Sequence, residues 1–156
     1  MCIRDRGIAE QVLFTGVQMN PFALLAKADV YALTSDSEGF PNALIEAMAV
    51  GLPCVSVNCK TGPAEILQND YQQCAAQDKV YHADYGILTP VFYGRKNLDA
   101  SMVSQEEEIF AGELVELLLN QKLMASYRNK ALYRANQFGV DAYVREIDRL
   151  IAQELE

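Results

Sequence analysis

The segment from Glu38 to Glu46 combines two carboxylates, a glycine and a predicted helix start. Glu38-Gly39-Phe40 directly precedes Pro41-Asn42, where the sequence predicts that a helix begins. The first amides of such a helix have no intrahelical acceptor, and its N-terminus carries about half a positive charge. A glycine beside it lets a ligand approach the backbone closely. This spacing predicts, though only weakly, a binding site for an anion such as a phosphate.

The two carboxylates suit a different part of a ligand. Glu46 lies two residues beyond Leu44, which is ~200° around the helix, so it points away from the face that Leu44 and Met48 share. Ionised carboxylates only accept hydrogen bonds, so Glu38 and Glu46 could bind hydroxyl groups but would be poor partners for a phosphate. A carboxylate pair is also compatible with a glycosidase. Each residue alone is equally compatible with a solvated surface acid.

The elements around this segment alternate between strand and helix patterns. Strand-like runs cover residues 12–15, 30–34, 53–58 and 85–90, and helix starts are predicted at Asn20-Pro21, Pro41-Asn42 and Pro63. Residues 68–84 are predicted to form a polar surface excursion and residues 93–105 a loop. This order predicts an α/β fold with a Rossmann-like parallel sheet and helices on both faces. The loops at 16–20, 35–40 and 58–62 would then lie at the carboxyl ends of the strands, where such folds bind ligands.

The C-terminal third is predicted to consist of extra helices. Apolar residues recur there at helical spacing, which predicts three stripes that pack on a core. The stripes are Phe110, Leu114, Leu117 and Leu118; then Leu123, Met124, Tyr127, Ala131, Ala135 and Phe138; then Tyr143, Ile147, Leu150 and Ile151.

Composition excludes several classes of protein. The chain has 156 residues, about one domain at ~100–200 residues per domain, and a net charge of -8, which argues against a nucleic-acid partner. Four cysteines form no CxxC pair and the single histidine, His82, cannot supply a metal site, so no metal is predicted. A catalytic triad would have to use His82. Neither a membrane span nor a signal peptide is visible, which predicts a cytoplasmic location.

The stretch from Glu38 to Ala49 resembles the E-x7-E signature of family 4 glycosyltransferases, the retaining enzymes of the GT-B fold. Its surroundings are similar as well: Phe14-Thr15-Gly16 and Asn20-Pro21 precede it, and Gly51-Leu52-Pro53 and Gly62-Pro63-Ala64 follow it. The resemblance covers about residues 7–155. It implies the C-terminal, nucleotide-sugar-binding domain of such an enzyme, over residues 7–156, without the acceptor-binding domain.

The resemblance also implies roles for individual residues. Glu38 would be the catalytic residue and would accept hydrogen bonds from the donor sugar, and Glu46 would bind the ribose hydroxyls. The remaining donor-binding residues would be Gly39, Phe40, Pro41, Asn42 and Ala43, with residues 16–20 beside the base. The substrate would be a nucleotide-diphosphate sugar, expected to be a UDP-sugar, and neither a cofactor nor a metal is implied.

The resemblance does not cover the whole of such an enzyme. A basic pair that the family places before the first strand has no match, and residues 1–6 look unlike the family, so they are predicted to be a non-native tail. The full-length parent would bind a glycan or lipid-linked acceptor through its N-terminal domain, and it could lie at the inner face of the membrane. The isolated chain is expected to be inactive. The alternative is a non-catalytic nucleotide-sugar-binding or regulatory module; a dehydrogenase-type dinucleotide domain would need a GxGxxG motif that is missing.

Overall fold

A computed structural model of the chain describes residues 7–74, 78–92 and 102–154. Four strands form one sheet in the order β1-β2-β4-β3: β1 (Tyr31–Leu33), β2 (Cys54–Val57), β3 (Tyr81–His82) and β4 (Ile87–Thr89). The six helices of the described part are α1 (Phe22–Leu25), α2 (Asn42–Ala49), α3 (Pro63–Leu67), α4 (Gln105–Leu119), α5 (Gln121–Asn136) and α6 (Val140–Glu154).

The central strands are covered on both faces, as predicted for a parallel sheet. β1, β2 and β4 are parallel, and every residue of β2 and β4 is buried. On one face, Cys54 and Leu88 pack with α2, α3 and α5. On the other face, Val55 and Ile87 pack with residues of α4 and α5. This layered core confirms the predicted α/β fold with helices on both faces of the sheet.

The helix that begins beside the two carboxylates is confirmed by α2, whose inward side chains Leu44, Ala47 and Met48 are buried. It ends as the sequence predicts. Gly51 has a φ of +78°, the Gly51 N–H donates to the carbonyl of Met48, and the Leu52 N–H donates to that of Ala47. These are the two bonds of a Schellman motif, which favours glycine at the left-handed position.

The strand predicted at residues 12–15 is wrong. This segment is irregular, and the Leu13 and Phe14 side chains are 83% and 79% exposed. A strand needs a neighbour that accepts and donates its backbone hydrogen bonds. No strand of the described sheet pairs with this segment, and β1 pairs only with β2.

The polar region from 68 to 84 contains more structure than predicted. Tyr81 and His82 form β3, a short antiparallel edge strand on β4, so the sheet is mixed and not wholly parallel. His82 Nε2 lies 3.0 Å from Glu113 Oε2, which joins β3 to α4. This contact gives His82 a structural partner on the far edge of the sheet from β1.

The first two C-terminal stripes pack as predicted, with Phe110, Leu117, Met124 and Tyr127 among the buried residues. The third does not: Tyr143, Ile147, Leu150 and Ile151 on α6 are all exposed. α2, α4 and α5 already cover the sheet, so α6 has no core surface left to bury its stripe against. Residues 1–6 and 93–101, which include the predicted tail and most of the predicted loop, lie outside the described residues. In the described part, none of the helices combines the length and apolar character needed to cross a membrane.

Tyr127 makes the fold sensitive to alkaline pH. Its hydroxyl donates to the carbonyl of Ala83 at 3.2 Å, and burial raises the pKa of Tyr127 to about 12, with smaller contributions from Glu113 and Asp84. The folded state therefore holds this proton more tightly than the unfolded state does. The resulting contribution to the free energy of unfolding is complete below the usual tyrosine pKa of about 10 and is lost as the pH rises through the folded value.

We expect Tyr127→Phe to flatten this pH dependence, because phenylalanine has no proton to lose. Urea unfolding measured between roughly pH 9 and pH 12 checks the expectation. Tyr143→Phe, at an exposed tyrosine, is the matched control and should follow wild type. Parallel pH profiles for wild type and Tyr127→Phe would contradict the prediction.

Candidate functional site

The loop at 35–40 follows β1 and leads directly into α2. Its Glu38 side chain is partly buried, and the Glu38 carbonyl accepts a hydrogen bond from the Thr61 hydroxyl. Thr61 belongs to the loop at 58–62 that follows β2. Two of the three loops predicted at the carboxyl ends of the strands therefore contact each other, as expected for neighbouring parallel strands.

Gly62 is the closest point of this contact. It has a φ of +94°, and a Cβ at this position would lie 2.5 Å from Pro41 Cδ and 2.8 Å from the Gly39 carbonyl oxygen. Both the backbone conformation and the space require glycine here. Pro41 is consequently buried, and its position fixes where α2 begins.

The start of α2 is open to ligands. Asn42 and Ala43 are exposed, and within the described residues their amide N–H groups have no acceptor, whereas the Leu44 N–H donates to the Pro41 carbonyl. Gly39 is also exposed, and a Cβ there would meet nothing within 4 Å. The fold thus leaves free backbone donors and free space at the position where the sequence predicts an anion.

Glu46 lies one turn further along α2 and lines a groove of about 420 Å³ between α1 and α2. Ala43 and Tyr31 also line this α1–α2 groove. Thr15, Gly16 and Gln18 border it from the segment before α1, so the structure brings most of the first predicted loop to Glu46. The groove lies in the ~300–1,000 Å³ range typical of small-molecule sites.

Glu46 also lines a second cavity, of about 520 Å³, on the other side of α2. Phe40 and Asn42 contribute to this cavity from the site, and the turn between α5 and α6 closes it with Phe138 and Tyr143. We call it the elbow cavity. Of the predicted site residues, Glu46 thus borders both spaces, Ala43 the α1–α2 groove, and Phe40 and Asn42 the elbow cavity.

Two neighbouring side chains report the charge of the site. Burial raises the pKa of Tyr31, and Cys54, Glu38 and Glu46 raise it further. Burial also raises the pKa of the Cys59 thiol, to which the Glu38 carboxylate adds. Both groups therefore stay neutral at physiological pH, and Cys59 is not a thiolate nucleophile. Glu38 and Glu46 both act on Tyr31, which places the two carboxylates around one region.

Sequence reasoning missed three residues of this region. Tyr31 was assigned only to a strand and Phe138 only to a core stripe, yet they line the α1–α2 groove and the elbow cavity. Gly62 was assigned to a turn, and its Gly-Pro pair was the one available signal for a special backbone conformation. No metal centre accompanies the site in the described ranges, since no three His, Cys, Asp or Glu side chains converge there.

The sequence matches a family model described as glycosyl transferases group 1 over residues 2–83, just over half of its 156 residues. The chain belongs to this glycosyltransferase family. The matched range includes the 35–40 loop, all of α2 and Gly62. Membership leaves the glycosidase and dehydrogenase interpretations without support.

Individual relatives extend the match beyond the family model. An uncharacterized glycosyltransferase of Methanocaldococcus jannaschii is 32% identical over 152 residues, covering 96% of this chain and 37% of the relative. The N-acetylgalactosamine-N,N'-diacetylbacillosaminyl-diphospho-undecaprenol 4-alpha-N-acetylgalactosaminyltransferase of Campylobacter jejuni is 30% identical over 136 residues, covering 87% of this chain and 30% of the relative. The chain thus spans about a third of the length of these relatives.

A solved structure matches the fold. Staphylococcus aureus TarM, crystallised with fondaparinux, alpha-GlcNAc-glycerol and UDP, superposes with a TM-score of 0.69 at 20% sequence identity. The match covers 95% of this glycosyltransferase-family chain and 25% of TarM. The observed architecture is therefore that of a GT-B glycosyltransferase, as the sequence predicted.

Proposed function

We propose that this chain is the nucleotide-sugar-binding part of a retaining, family 4 glycosyltransferase of the hexosyltransferase type. The observation that carries the proposal is the opening of α2, where the exposed amides of Asn42 and Ala43 stand beside Gly39 and one turn from Glu46. Such an end favours a diphosphate, and the carboxylate beyond it favours hydroxyl groups. A nucleotide sugar carries both chemistries next to each other.

In this proposal each residue binds the part of the donor that suits its chemistry. The Glu46 carboxylate accepts hydrogen bonds from the ribose hydroxyls, and the α1–α2 groove beside it takes the base. The amides of Asn42 and Ala43 donate to the diphosphate. Glu38 accepts from hydroxyls of the sugar, while Gly39 and Phe40 line the sugar and diphosphate. Pro41 fixes the helix start against Gly62. The donor is a UDP-sugar, in keeping with the UDP held by TarM.

The proposed reaction needs no protein nucleophile. The bond between the anomeric carbon and the diphosphate oxygen breaks, and an acceptor hydroxyl forms its new bond on the same face of the sugar. The leaving phosphate takes the proton of that hydroxyl, so charge and atoms balance. Free amides at the helix end stabilise the negative charge that develops on the diphosphate. Glu38 acts by holding the sugar in position for this step.

Transfer itself is proposed for the whole protein, because the chain spans only 37% of its Methanocaldococcus relative. We propose that a preceding domain binds the acceptor. A glycan or lipid-linked acceptor is in keeping with the Campylobacter relative, whose name contains a diphospho-undecaprenol acceptor. Such an acceptor would place the whole protein on the cytoplasmic side, at the membrane surface.

The Gly39→Ala variant tests the proposal. We expect it to fold like wild type, because the added Cβ meets nothing within 4 Å. The methyl group would nevertheless stand between the backbone and the diphosphate. Binding of UDP should therefore weaken about tenfold, or ~1.4 kcal/mol, while binding of uridine stays unchanged. Titration calorimetry for UDP and ligand-observed NMR for uridine measure the two affinities.

Gly112→Ala serves as the matched control, since its added Cβ also meets nothing within 4 Å and Gly112 lies on α4. It should bind both ligands like wild type. A wild-type chain that binds no UDP overturns the proposal. Equal UDP affinity of wild type and Gly39→Ala overturns the placement of the diphosphate.

A further inference from the structure

The aromatic ring of Phe40 is held from outside its own loop. Phe40 is 45% exposed, and its ring meets that of Phe138 edge to face, with 5.6 Å between the centroids and 69° between the planes. Phe138 lies just beyond the end of α5. The contact therefore ties the loop before α2 to the C-terminal helices, about a hundred residues further along the chain.

Phe138 is in turn held by Arg134. The Arg134 guanidinium carbon lies 4.8 Å from the centroid of the Phe138 ring and 4.9 Å from that of Tyr85, so the cation is sandwiched between two aromatic faces. Such contacts are strongest for partly desolvated cations, and arginine suits them because its guanidinium is planar. The sandwich restricts the position of the Phe138 ring.

The other atoms of Arg134 fasten this pair to α3. Nε donates to the Ile66 carbonyl at 2.9 Å, and Nη2 donates to the Glu65 carbonyl at 2.9 Å. These carbonyls lie in the last turn of α3, where a helix leaves acceptors unsatisfied. α3 begins at Pro63, directly after Gly62, which contacts the other side of the 35–40 loop. Arg134 thus joins two separate supports of that loop.

We propose that Phe138, held by Arg134, is a positioning residue that sets the conformation of Gly39-Phe40 for the diphosphate and sugar of the donor. The proposal rests on the proposed function above. It differs from a purely structural role because Phe40 lies on the diphosphate side of the site. The uridine side, formed by Glu46 and the α1–α2 groove, does not include Phe40 or Phe138.

Phe138→Leu tests the proposal, because leucine retains an apolar side chain but removes both ring contacts. We expect UDP affinity to fall about threefold to tenfold, the range that one edge-to-face pair corresponds to, with uridine affinity unchanged. Phe138→Tyr keeps the ring and should restore UDP binding. The ratio of UDP to uridine affinity is the decisive readout, because general destabilisation would weaken both ligands together.

Phe110→Leu is the matched control. It removes an edge-to-face contact of the same kind, with Phe92 at 5.8 Å and 70°, on the opposite face of the sheet. This variant should lose stability without changing the affinity ratio. An unchanged ratio in Phe138→Leu, with normal UDP binding by wild type, overturns this inference and leaves the proposed function intact. Absence of UDP binding by the wild-type chain overturns both.

Discussion

Replacing Glu46 by alanine is expected to weaken UDP binding by about 5–150-fold, the equivalent of about 1–3 kcal/mol for the loss of a hydrogen-bonding partner. Glu46 is partly buried in α2 and lines both the α1–α2 groove and the elbow cavity. In the proposed site its carboxylate accepts from the two ribose hydroxyls, which would be left without their partner. Unlike Gly39→Ala, this change should weaken uridine and UDP alike, because both ligands contain the ribose.

Calorimetric titration of the wild-type and Glu46→Ala chains with UDP measures the effect. Glu116→Gln is a suitable control, since this carboxylate is exposed on α4 at the other face of the sheet. Circular dichroism melting curves establish that both variants fold. UDP affinity that does not change on removal of the Glu46 carboxylate would show that the ribose is bound elsewhere.

Gly62→Ala is expected to lower the free energy of unfolding by about 2–5 kcal/mol. The left-handed backbone at φ +94° costs an L-residue roughly 1–2 kcal/mol, and overpacking adds about 1–3 kcal/mol. The clash cannot relax easily, because its nearest atoms belong to a proline ring and to the Gly39 carbonyl. Since these atoms form the floor of the site, UDP binding should weaken in the same variant.

Urea unfolding followed by circular dichroism gives the change in free energy. Gly112→Ala is the opposite case, because Gly112 lies within α4 and an added Cβ has open space. That variant should gain roughly 0.5–1 kcal/mol, since glycine loses more backbone entropy than alanine in a helix. A Gly62→Ala chain as stable as wild type would mean that the two loops do not pack as described.

Local signals in the sequence were sufficient for the core elements. The helix from Asn42 was predictable from a proline before it and a Gly51 stop after it, and β2 and β4 from short apolar runs between turn residues. Such signals act over a few residues, so they survive in any tertiary context. The same reasoning failed at residues 12–15, because an apolar run becomes a strand only when another strand pairs with it.

The sequence by itself determined the order of the α/β elements, the start of α2 and the side of that helix on which Glu46 lies. It could not determine the supports of the site. Gly62 contacts Gly39 across 23 residues, and Phe138 contacts Phe40 across 98, so these contacts depend on how the sheet and helices pack. Packing between distant segments is a property of the folded chain as a whole. For that reason only the tertiary structure revealed what holds the 35–40 loop in place.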